Sequence, residues 1–126
     1  NPKRINNVLY NTMAAADVRR PLWRPTPTAQ NVVTPPGGNT ATFMNQKFRA
    51  KDFGNSTGDI PYMRVAEMWL IEAEARARNG EESLAKDAFT TFMQNRVPGY
   101  TRSTATGAAF IDEIMNSRRV ELWGEG

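Results

Sequence analysis

The stretch from Asp59 to Gly80, DIPYMRVAEMWLIEAEARARNG, constrains the fold more than any other part of the chain. Ala66, Trp69, Leu70, Ala73 and Ala77 recur at the spacing of one helix face. Asp59 is a candidate N-cap, and Pro61 suits a first helical turn, where its missing N–H would be unpaired in any case. Glu72 with Arg76, and Glu74 with Arg78, stand four apart in the favourable order, each pair adding roughly 0.2–0.5 kcal/mol. Gly80 closes the helix as a left-handed cap. A second helix is predicted at once, from about Glu82 to Asn95, with Leu84, Ala85, Ala88, Phe89, Phe92 and Met93 inward.

Small residues facing bulky ones across the tight turn at Gly80 let these two helices approach closely, as in a tetratricopeptide-like hairpin. The hairpin occupies about 61–96, and VPGY ends it. A final helix is predicted over about 106–122, with Phe110, Ile111, Ile114, Met115, Leu122 and Trp123 near one side. At the other end, Ile5, Val8, Leu9 and Met13 predict a helix over about 3–16. Pro21 stops any continuation, because it forces its predecessor toward extended geometry. Residues 20–42 read as loop, punctuated by Pro25, Pro27, Pro35, Pro36, Gly37 and Gly38, and 43–53 as a short extended segment. The fold class is therefore mainly α, with long loops and at most that one extended segment. One hairpin cannot bury its own apolar face and no second copy of it is visible, so residues 1–126 are expected to form part of a larger helical domain.

Composition removes several functional classes. The chain has no histidine and no cysteine, which excludes His/Cys zinc sites and histidine-based nucleophile triads within it. No GxGxxG or GxxxxGK[ST] motif supports nucleotide binding, and neither a cofactor nor a metal is expected. A net charge of +3 without a dense basic block gives no argument for nucleic acid. No apolar run reaches the ~18 residues that a membrane-spanning helix needs.

Three groups of residues remain as candidates for chemistry. Glu121 and Glu125 lie four apart, and Asp52 and Asp59 flank one turn, the arrangements closest to a glycosidase carboxylate pair. Arg118 and Arg119 beside Glu121 fit an ion-paired helix end better, and no catalytic residue is assigned. Lys47, Arg49 and Lys51, with Phe48 and Phe53, could track a single strand of nucleic acid, but a lysine-guarded edge strand explains the same pattern more simply. Trp23, between Arg20 and Arg24 at the mouth of the Pro-rich loop, has two readings. It offers a face for stacking on a sugar ring, with Arg24 beside it, or it anchors the loop in the helical core.

Three blocks in order carry a family resemblance: ADVRR from Ala16 to Arg20, DIPYMRVAEMWLIEAEARARNG, and SRRVELWGEG from Ser117 to Gly126. They resemble the C-terminal half of the SusD/RagB family, the surface nutrient-binding lipoproteins of Bacteroidetes. Ser117 departs from the family pattern, which usually has glutamate there, and the stretches 24–42 and 95–106 follow no pattern of the family. The resemblance implies a lipid-anchored protein on the outer face of the outer membrane, whose anchor lies outside this chain. It further implies that the protein caps a SusC-type TonB-dependent transporter and captures an oligosaccharide for import, without catalysis and without nucleic acid. Peptide binding within the same family, or a helical-repeat adaptor for protein partners, are the alternatives. Under the resemblance Asp17, Arg19, Arg118 and Glu121 are structural ion pairs that hold helices together, and ligand contacts come from variable loops.

Overall fold

The computed structural model describes residues 3–23, 25, 42–47 and 63–125. Among them the chain is all-α, with four helices: α1 (Asn7–Asn11), α2 (Val65–Arg78), α3 (Glu82–Gln94) and α4 (Gly107–Glu121). A short 3-10 turn spans Arg20–Trp23. None of these helices is long and apolar enough to cross a membrane.

The hairpin of α2 and α3 turns at Gly80, whose φ of +83° is the left-handed conformation that a side chain would strain. The Glu72–Arg76 and Glu74–Arg78 pairs form at 2.9 and 2.8 Å along α2. Inside, Leu70 and Ala73 of α2 meet Ala85, Ala88, Phe89 and Phe92 of α3, and α4 contributes Phe110 and Ile114 to the same core. The small alanines let the helices close in. Phe89 then packs edge-on against both Phe110 and Tyr100, with centroids 5.8 and 6.2 Å away. After α3 the segment to Thr106 and the start of α4 are stapled to α3. Arg102 bonds Asp87 and Ser83, and the Glu82 carboxylate accepts from the N–H of Gly107 at 2.7 Å.

A second core joins the two ends of the sequence. Ile5, Tyr10, Met13 and Trp23 pack around Val120 in the last turn of α4, with Phe43 and Trp123 at its margin. Phe43 has a φ of +58°, a conformation that costs a non-glycine residue roughly 1–2 kcal/mol. Its ring lies edge-on to Tyr10 at 5.1 Å, and its carbonyl accepts from the N–H of Ile5.

Several expectations are corrected. α1 is five residues long rather than spanning 3–16, because Asn6 caps it with its own side chain and the Thr12 hydroxyl turns back to the carbonyl of Leu9. Its inward residue is Tyr10, while Val8 faces solvent. α2 starts at Val65 rather than near Pro61: Arg64 is extended and acts as N-cap without a side-chain bond. Asp59 and Pro61 lie outside the described residues. In α3 Leu84 is half exposed while Lys86 is buried, its ammonium lying over the Phe110 ring at 5.4 Å and pairing with Glu82 at 2.9 Å. Of the extended segment expected at 43–53, the described part makes a single antiparallel bridge between Met44 and Arg4. Residues 48–53 lie outside the described ones.

Candidate functional site

Two constructions stand out: a charged clasp at the end of α4 and a cavity beside the α3–α4 connection.

The clasp is built on Glu121, 4 % exposed. Arg96 grips its carboxylate with two nitrogens, at 2.9 and 3.0 Å. Arg19 reaches it at 3.2 Å and Arg64 at 3.0 Å. Asp17 holds the guanidinium of Arg19 from the other side at 2.7 Å, and its carboxylate also accepts from the N–H of Arg19. Arg64 and Lys47 share Glu125, and both also bond the main-chain carbonyl of Glu121. Four cations thus meet three carboxylates, and the seven side chains come from five separate parts of the chain. Burial pushes the Glu121 carboxyl up, but Arg96, Arg19 and Arg64 outweigh it and hold the group down at about 2. A carboxyl so acidic does not donate a proton near neutral pH, so Glu121 cannot serve as the general acid of a carboxylate pair.

The residues singled out from the sequence are distributed across this clasp. Asp17, Arg19 and Glu121 sit together in it. Arg118 does not; its guanidinium points to α2 and pairs with Glu74 at 2.6 Å, because successive positions on a helix face different directions. Ser117, at the position where the family usually has glutamate, is buried and accepts from Arg19 through its carbonyl and hydroxyl. Trp23 offers no face to a ligand: it is completely buried, edge-on to Trp123 at 5.8 Å. The loop-anchor reading describes its place, and the stacking reading is corrected. Arg24 lies outside the described residues. Lys47, the first member of the basic stripe, is committed to Glu125, and Arg49 and Lys51 lie outside the described residues.

Arg64, Arg96, Lys47 and Glu125 were not predicted as clasp members.

The cavity holds about 450 Å³ and lies between the end of α1, α3, the 97–104 segment and α4. Its buried lining combines apolar Met13, Phe89, Val97 and Val120 with the paired Asp17 and Arg19 and with Ser117, and Met93, Tyr100, Thr101, Thr104, Glu113 and Asn116 line its more exposed part. Burial, followed by the charge of Glu113, pushes the Tyr100 phenol up to about 12.

The fold and the clasp define a class: an all-α domain whose buried charges are spent on holding its helices together. The chain belongs to the SusD family, whose model matches residues 11–126. Among solved structures it is similar to a SusD-like carbohydrate-binding protein from Bacteroides vulgatus, with a TM-score of 0.74 and 28% identity. That likeness covers 98% of this chain and 25% of the other, so the chain spans a quarter of that protein's length. Comparison with curated proteins gives no match.

Proposed function

We propose that this chain is part of a non-catalytic, lipid-anchored cell-surface protein that binds glycans and delivers them to a SusC-type TonB-dependent transporter in the outer membrane. The observation that carries this reading is family membership over residues 11–126, together with a shared fold with a protein described as carbohydrate-binding. The clasp supports it indirectly. Asp17, Arg19 and Glu121 neutralise one another inside the fold, as a scaffold requires, and leave ligand capture to other surfaces.

The test is to purify the native full-length parent from detergent-solubilised outer membranes and identify what comes with it by mass spectrometry. A large β-barrel transporter in stoichiometric amount is expected. Recovery of the protein in the soluble fraction with no such barrel would refute the uptake role.

A further inference from the structure

The cavity beside the α3–α4 connection is not used by the clasp, and the chemistry of its wall is specific. Its volume of about 450 Å³ lies within the roughly 300–1,000 Å³ typical of small-molecule sites. One side of the cavity is apolar, formed by Phe89, Met93 and Val97, while hydroxyl, amide and carboxylate groups line the rest, an arrangement suited to a ring with one C–H face and several hydroxyls.

Which polar groups are uncommitted decides the ligand class. Among the described residues, the Tyr100 hydroxyl and the side-chain amide of Asn116 have no hydrogen-bond partner. Glu113 uses one carboxylate oxygen to accept from Ser103 and keeps the other open. The phenol of Tyr100 stays protonated beside it, so the mouth presents a donor, an amide and an acceptor together. The two cations of the wall are already taken. Arg19 is held by Asp17 and Glu121, and Arg102 by Asp87 and Ser83. An anionic group entering here would meet the Glu113 carboxylate with no spare guanidinium to balance it.

We propose that this cavity is a binding subsite for a neutral sugar ring, with Tyr100, Asn116 and Glu113 as its hydrogen-bonding contacts and Phe89, Met93 and Val97 as its apolar wall. The proposal rests on the glycan-binding reading and adds to it a place and a preference: neutral hexoses or pentoses over uronates and sulfated sugars.

The experiment uses the purified full-length protein on an array of neutral glucose-, mannose-, galactose- and xylose-based oligosaccharides, printed beside uronate-containing and sulfated ones. The tightest neutral glycan is then titrated calorimetrically against the wild type, Tyr100→Phe and Asn116→Ala. Retention of neutral glycans is expected, with affinity falling about tenfold in each variant, as loss of one well-placed hydrogen bond predicts. Thermal melting of Tyr100→Phe, which loses a single oxygen atom, is expected to match the wild type and separates binding from folding. Neutral-glycan binding that both variants leave unchanged would overturn the subsite while leaving the glycan reading intact. This is also the outcome expected if another part of the parent chain fills the cavity. Preference for the acidic sugars would overturn the stated selectivity, and no glycan binding by the wild type would overturn both readings.

Discussion

Replacing Glu121 with glutamine removes one negative charge from the centre of the clasp while keeping the side chain's size. The Glu121 carboxyl lies at about 2 in the fold against an ordinary value of 4.5. At roughly 1.4 kcal/mol per pKa unit, that depression corresponds to about 3 kcal/mol of stability supplied by the ionised form. The Arg64 side chain is 28% exposed, so water screens part of its attraction to the carboxylate. About 2–3 kcal/mol is therefore expected to be lost by Glu121→Gln near pH 7, before any cost of turning an amide N–H toward a guanidinium. The sign follows from a depressed carboxylate: the stabilisation is fully present above the unfolded pKa and disappears as pH falls through the folded one. Urea denaturation of the full-length protein and the variant across pH 7 to 2 should show a constant gap down to about 4.5, closing toward 2. A variant within about 0.5 kcal/mol of the wild type at pH 7, or a gap that does not close in acid, would refute the charge-centred account of the clasp.

Three further outcomes are expected. Phe110→Ala should lose about 3–5 kcal/mol by urea denaturation, since the ring is fully buried between the hairpin and α4. Gly80→Ala should cost only about 1 kcal/mol in thermal melting, because an added Cβ meets nothing within 4 Å and the penalty is that of the +83° backbone alone. Leu84→Gln, on a half-exposed position, should stay within about 0.5 kcal/mol of the wild type; a larger loss would show that Leu84 is covered in the full-length protein.

The hairpin and α4 were legible in the sequence because their packing is periodic: Leu70, Ala73, Ala85, Ala88, Phe89, Phe92, Phe110 and Ile114 all fall on predicted inward faces. The start of α2 was less so, since Pro61 and Asp59 supply ordinary start signals while Arg64 is pulled out of the helix by Glu121 and Glu125. The choice between Trp23 as ligand platform and Trp23 as anchor depends on Trp123 and Val120, far away in sequence, and no local pattern encodes that. The same holds for the clasp. Arg64 and Arg96 each read locally as ordinary surface arginines, and only the fold brings them to one carboxylate. The cavity is assembled from α1, a connecting segment and two helices, so its wall has no contiguous signature at all.

The clasp also sets an order of events during synthesis. Arg19 and Glu121 are 102 positions apart, so the bond between them closes a long loop. At roughly 5–20 residues per second, a ribosome needs on the order of 5–20 s to make the intervening chain. Through that interval Asp17, Arg19 and Trp23 have emerged without Glu121, Val120 or Trp123 to receive them. The hairpin of α2 and α3, whose contacts are local, can form before then. Asp17, Arg19 and Trp23 can therefore meet these partners only once the final turn of α4 has been made.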